Sequence, residues 1–222
     1  MNNIFPWQNE IWKILTKNKS SIGHAILLKG KKGIGKLEFA KSLAKSLLCE
    51  DRLSENQACG SCSGCRWFEQ AGHPDFYLVE PEALSESSGE SKEKPSSAKL
   101  KKKPSKQVSV AQIRALNDVV NMSSHRNGYK IVIINPAEAM NVAAANALLK
   151  NLEEPPPQTL FILVTHRPHH ILPTIHSRCR QIAMPAPDFN LAIDWLEKQD
   201  IEGAEDSLAA VGYAPLAALE YN

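Results

Sequence analysis

The stretch Gly30-Lys31-Lys32-Gly33-Ile34-Gly35-Lys36-Leu37 constrains the fold more than any other part of the chain. It follows an apolar run, Ala25 to Leu28, and opens a segment with apolar residues at helical spacing: Leu37, Ala40, Leu43, Ala44, Leu47 and Leu48. Strand, glycine-rich turn and helix in that order form a cradle in which backbone N–H groups and a helix N-terminus hold phosphate. Seven of the eight positions fit a nucleotide-binding loop. At the eighth, where Ser or Thr would ligate magnesium, Leu37 offers hydrocarbon.

The rest of the chain supplies a sheet for such a loop. Lys130-Ile131-Val132-Ile133-Ile134 is an uninterrupted aliphatic run, as a parallel strand covered on both faces requires. Residues 160–165 predict a second central strand, and 76–79 and 181–184 shorter ones. Trp7, Ile11, Trp12 and Leu15 predict an amphipathic helix that ends around residues 17–20. Another is expected over 110–122. A third is capped by Asn141 and stopped after Glu154 by Pro155-Pro156-Pro157. Strands alternating with helices imply a parallel α/β sheet, with the loop at the carboxyl end of the first strand, where ligands bind. Beyond Pro187, helical segments at 191–198, 206–210 and 215–221 form a small α-helical tail. The expected division is a core over 1–186 and a helical unit over 187–222.

Composition removes some classes. No apolar run reaches transmembrane length, and the N-terminus lacks a basic region followed by a hydrophobic one, so neither membrane nor secretion is expected. Four of the five cysteines are clustered, which suits a reducing compartment and makes the cytoplasm the expected location. Residues 84–107 hold seven lysines and three glutamates, a balance of +4 that leaves −2 for the remainder of a chain of net charge +2. This Lys/Ser-rich insert has no aromatic residue and is read as a flexible, solvated spacer. Its Lys101-Lys102-Lys103 could touch DNA phosphates, although no stacking residue accompanies them.

Three groups carry chemistry. Cys49, Cys59, Cys62 and Cys65 have the spacing C-x9-C-x2-C-x2-C, with Gly60 and Gly64 to tighten the turn. Four converging thiolates suit a closed structural zinc, the alternatives being free thiols or disulfides formed on oxidation. At the loop, Gly30, Gly33, Gly35 and Lys36 keep phosphate binding chemically possible. The second magnesium partner should be an acid at the end of a hydrophobic strand, yet there stand Asn135 and Pro136; Glu138 lies further on and would begin the next turn. With both metal positions blank, no magnesium site and no hydrolysis are expected, and ATP binding is in doubt. Ser177-Arg178-Cys179 lies before the last strand, at a domain edge. Arg178 could form a surface ion pair or reach a neighbour's nucleotide, and Arg66, Arg114, Arg126, Arg167 and Arg180 are equally available on residue type.

Taken together these blocks resemble the delta-prime family of bacterial DNA polymerase III clamp-loader subunits, within the AAA+ superfamily. The resemblance includes Pro6-Trp7-Gln8, His24-Ala25-Ile26-Leu27, Gly33-Ile34-Gly35-Lys36, the four cysteines and His73-Pro74-Asp75. It continues through Ala144-Ala145-Asn146-Ala147-Leu148-Leu149-Lys150, Leu152-Glu153-Glu154-Pro155-Pro156 and Ser177-Arg178-Cys179. It implies a five-stranded AAA+ core with an inserted zinc module over 49–65, a three-helix lid, and a helical collar that this chain, ending at Asn222, does not contain. It also implies a subunit that does not hydrolyse ATP itself and whose Arg178 reaches the ATP of an adjacent gamma or tau subunit. Thr165 matches the sensor position, and Leu216 stands where active relatives carry a phosphate-sensing arginine. Implied partners are the gamma/tau and delta subunits and, through the complex, the beta sliding clamp and primed DNA. Two other readings stay open: an active gamma/tau-like ATPase, and a zinc-containing DNA-binding protein.

Overall fold

Aliphatic runs pair side by side into one parallel sheet of five strands: β1 (Ala25–Lys29), β2 (Phe76–Val79), β3 (Lys130–Ile134), β4 (Thr159–Thr165) and β5 (Arg180–Ala183). Their order is β2-β3-β4-β1-β5. The structure is a computed structural model and describes residues 4–17, 22–53, 56–85, 103–122 and 128–221. Every residue of β3 and β4 is buried, as expected for central strands, whereas the edge strands β2 and β5 are mostly half-buried or exposed.

Alternating side chains go to two separate cores. On one face Ile26, Leu28, Ile131, Ile133 and Ile162 pack with Trp12 and Leu15 of α1 (Asn9–Lys17) and with Phe39, Leu43 and Leu47 of α2 (Lys36–Leu48). Two short helices follow, α3 (Ser63–Glu69) and α4 (Glu82–Ser85). On the other face Leu27, Val132, Ile134, Phe161 and Leu163 meet α5 (Val110–Val120) and α6 (Val142–Glu153). Ser109 and Gln112 form a reciprocal capping box at the start of α5. At its other end the buried Lys130 ammonium donates to the carbonyls of Val119 and Val120, so α5 stops two residues short of the expected 122. Asn141 caps α6 as its sequence position implied, through the Ala144 N–H at 2.8 Å.

After α7 (Pro173–His176) and β5 come α8 (Phe189–Glu197), α9 (Ala204–Ala210) and α10 (Pro215–Tyr221), joined by Ala192, Leu196, Leu208 and Ala218. The lysine-rich insert falls mainly on 86–102, outside the described residues, together with Lys101, Lys102 and, elsewhere, Arg126. Its flanks meet: Ser105 accepts from the Ala83 N–H at 3.0 Å and donates its own to Glu82 at 3.1 Å. Among the described residues no helix is long and apolar enough to cross a membrane.

Candidate functional site

The loop runs from the end of β1 into α2, with Gly33 and Gly35 at φ of 80° and 81°. Two other parts of the chain close on it. From the N-terminal turn, Gln8 donates to the carbonyls of Ile34 (3.0 Å) and Gly35 (2.8 Å), and the Trp7 indole donates to Ile34 at 3.0 Å. A Cβ at Gly35 would overlap the Phe5 ring, so only glycine suits that position. From the helical unit, the Leu216 N–H donates to the Gly33 carbonyl at 3.0 Å. Phe5, Trp7 and Trp195 of α8 then make one aromatic cluster, with ring centroids 5.0–5.6 Å apart, that ties the two sides together. The roles of Phe5, Trp7 and Gln8 were hidden in the sequence. A glutamine between aromatic residues has no recognisable partner until the chain is folded.

Lys36 is 2% exposed, and its ammonium donates to the carbonyls of Gly30, at 2.9 Å, and Lys31. Burial lowers its pKa to about 8, against the opposing pull of Glu138 and Glu38. A phosphate on the loop would have to take this ammonium from those carbonyls. Leu37 turns toward the α1–α2 core and packs there, so its hydrocarbon has a structural use. Leu216 lies directly against the loop, as its backbone contact requires.

Thr165, fully buried, pairs in register with Lys29 and so ends its strand beside the loop. Its hydroxyl accepts from the Arg167 N–H at 3.1 Å. Asn135 follows β3 and donates to Glu80 at 2.7 Å. Glu138 begins the next turn, as expected from the sequence, and its carboxylate folds back to accept the His166 N–H at 3.0 Å. Asn135 Oδ1, Glu138 Oε2 and His166 Nδ1 are buried without a hydrogen-bond partner among the described residues.

Burial and then the nearby Lys36 hold the His166 imidazole down to a pKa of about 4. In the unfolded chain it titrates near its ordinary 6.5. Between those values the unfolded chain binds more protons, so this histidine makes stability fall as pH drops from 6.5 toward 4. His166→Asn should flatten that part of the stability curve, read as urea midpoints at pH 7 and pH 5. Equal slopes in the two proteins would contradict a buried neutral imidazole.

The cysteines converge at the far end of α2, about 20 Å of helix from the loop. Cys49 caps the C-terminus of α2 and Cys62 the N-terminus of α3, where its Sγ accepts the Cys65 N–H. All four sulfurs lie within 4.8 Å of one another, with Cys49 to Cys62 at 3.8 Å and Cys59 to Cys65 at 4.0 Å. A tetrahedral ion with metal–sulfur bonds of about 2.3 Å has sulfur–sulfur edges of about 3.8 Å, so the four can hold a metal ion. N–H groups of Ser61 and Cys62 point at Cys59 and help bring its pKa down to about 6. Burial pushes Cys49 and Cys65 the other way, and a central dication would offset that cost. Gly64 passes so close to α2 that a Cβ would lie 2.6 Å from the Leu48 carbonyl. A Lys45–Glu69 ion pair at 2.5 Å ties α2 to α3 beside the cluster.

Arg178 stands apart from both. Its guanidinium pairs with Glu153 at the end of α6, at 2.6 Å, and donates to the Thr174 carbonyl at 3.0 Å. Its side chain stays 33% exposed. Two residues later Arg180 pairs with Ile26, near the amino end of β1, so Arg178 belongs to the edge opposite its own phosphate loop. Ile26 to Gly30 alone is about 13 Å of strand rise. Arg178 therefore does not meet the residues of the loop. The neighbouring Cys179 is buried, which pushes its thiol up to about 12 and leaves it unreactive.

A family model described as DNA polymerase III, delta subunit, matches residues 7–188. DNA polymerase III subunit delta-prime of Pseudomonas aeruginosa is 39% identical over 222 residues, covering 98% of this chain and 61% of that protein. DNA polymerase III subunit tau of Salmonella typhimurium is 34% identical over 167 residues, covering 75% of this chain and 22% of that protein. Among solved structures, a DNA polymerase III gamma subunit-related protein from Thermotoga maritima has a TM-score of 0.61 and 25% identity, covering 96% of this chain and 56% of that one. The chain spans about three fifths of the length of the curated delta-prime relatives it matches.

Proposed function

The chain belongs to the DNA polymerase III delta-subunit family, and from that premise we propose that it is a clamp-loader subunit of the delta-prime kind. It helps place the beta sliding clamp on primed DNA in the cytoplasm, beside gamma or tau and delta subunits, and hydrolyses no ATP itself. The observation that carries this reading is the state of the loop. It is gripped by Gln8 and Leu216, and Leu37 and Asn135 stand where a magnesium ion would need a hydroxyl and a carboxylate.

In this reading the chain is a rigid wall of a neighbour's active site. Arg178, at the far edge of the sheet, extends its guanidinium to the neighbour's ATP and stabilises the charge that develops on the transferred phosphate. The Glu153 partner holds it in place until then at little energetic cost, since an exposed pair is worth about 1 kcal/mol or less. Residues 1–186 act as the AAA+ core and 187–222 as a lid fixed onto it. Zinc is the metal assigned to Cys49, Cys59, Cys62 and Cys65, where a full sulfur shell leaves no position for water and the ion serves structure only. The tau-like match keeps an active ATPase as the competing reading.

Reconstitution tests the proposal. Gamma or tau, delta, the clamp and primed DNA are combined with and without this chain, and loading is followed by fluorescence. Loading should depend on the chain. Equal loading without it would remove the assignment.

A further inference from the structure

Two contacts sit side by side at the carboxyl edge of the sheet. Because Lys29 pairs with Thr165, Gly30 and His166 leave the sheet on adjacent strands, about 4.8 Å apart. The Gly30 carbonyl accepts the Lys36 ammonium at 2.9 Å, and the His166 N–H donates to the Glu138 carboxylate at 3.0 Å. A buried cation and a carboxylate thus face the same small region. The second carboxylate oxygen, Oε2, is buried with no hydrogen-bond partner among the described residues. Lys36, Lys32 and Arg167 all act on His166 as positive charges, and Glu138 opposes them. A phosphate-binding position surrounded by cations calls for an anion, and here the chain brings one of its own.

We propose that Glu138 is the resident anion of the phosphate loop: it supplies beside Lys36 the negative charge that a polyphosphate would bring, and repels any polyphosphate that approaches. Two like charges in a poorly solvated space exclude one another strongly, because the low local dielectric magnifies their repulsion. Glu138 is then a specificity-determining residue of the loop. It keeps the arrangement of loop, N-terminal turn and α10 neutralised without nucleotide. The inference rests on the reading that the loop hydrolyses nothing, and it adds which residue excludes the ligand.

The experiment titrates the chain with inorganic tripolyphosphate, without magnesium, in a calorimeter. The wild-type chain should show no saturable binding up to millimolar concentration. Glu138→Gln retains an acceptor for the His166 N–H but loses the charge, and should bind at least tenfold more tightly. That gain should vanish when Lys36→Ala is added. Millimolar or tighter binding by the folded wild-type chain would overturn the proposal whatever the variants do. A folded Glu138→Gln that binds no better, or a gain that survives loss of Lys36, would also overturn it. Failure of the functional reading looks different, since it would appear as ATP turnover by the wild-type chain.

Discussion

Arg178→Ala, placed in the assembled loader, is expected to lower DNA-stimulated ATP turnover at the site it serves on the order of 10³-fold. The large effect follows from where an arginine finger acts. It meets negative charge that appears only as the phosphate transfers, in a space from which water is excluded. Stability should hardly change. The lost pair with Glu153 joins side chains that are 33% and 50% exposed, so the urea midpoint should correspond to a loss of about 1 kcal/mol or less. A structural explanation is separable by a second variant. Glu153→Gln breaks the same pair and leaves the guanidinium in place, so it should keep nearly full turnover. If both variants lowered turnover equally, the ion pair itself would be the important feature and the finger assignment would fall.

Removing the metal should have the largest effect on stability. Without a cation, four sulfurs within 4.8 Å must share one small space, two of them buried. The cysteine segment would lose the link that a bound ion makes between α3 and the end of α2. Fingers that fold only with metal draw about 10–16 kcal/mol from it. Here α2 is already anchored by Phe39, Leu43 and Leu47 in the main core, so a smaller loss of about 3–5 kcal/mol is expected, a fall of about 10 °C in Tm. Calorimetry of the chain before and after chelation measures this, alongside elemental analysis, which should find about one zinc per chain. Cys62→Ser should reproduce the chelated melt. An unchanged melt after complete metal removal would contradict a structural site.

Much of this fold could be read from residue pattern because the central strands have only one physical solution. Ile131 to Ile134 and Leu160 to Val164 are apolar without alternation, which only a sheet covered on both faces tolerates. Their ends were placed within a residue of those observed. The short helices were harder: α3 has seven residues, one of them Cys65 of the four-cysteine cluster, and shows no apolar period. The four-cysteine cluster was legible since its residues are close in sequence and demand one another. Glu138 was not, because its partner His166 is 28 positions away and the meeting depends on how β3 and β4 end. Nor was the grip of Gln8 on the loop, 26 positions distant. Contacts made across the sheet edge between dissimilar residues leave no periodic trace.

The loop has one character in the sequence and another in the folded chain. In the sequence it is an active-site motif with one substituted position. In the structure its lysine is satisfied by the loop's own carbonyls, its Leu37 belongs to the core, and the α10 backbone is bonded to Gly33. These are the features of a turn that supports neighbouring elements. The measurement that bears most directly on this view is ATP turnover by the purified chain with saturating magnesium. No turnover above the buffer rate is predicted, with or without DNA. Magnesium-dependent turnover that disappears in Lys36→Ala would contradict it and make this chain an ATPase in its own right.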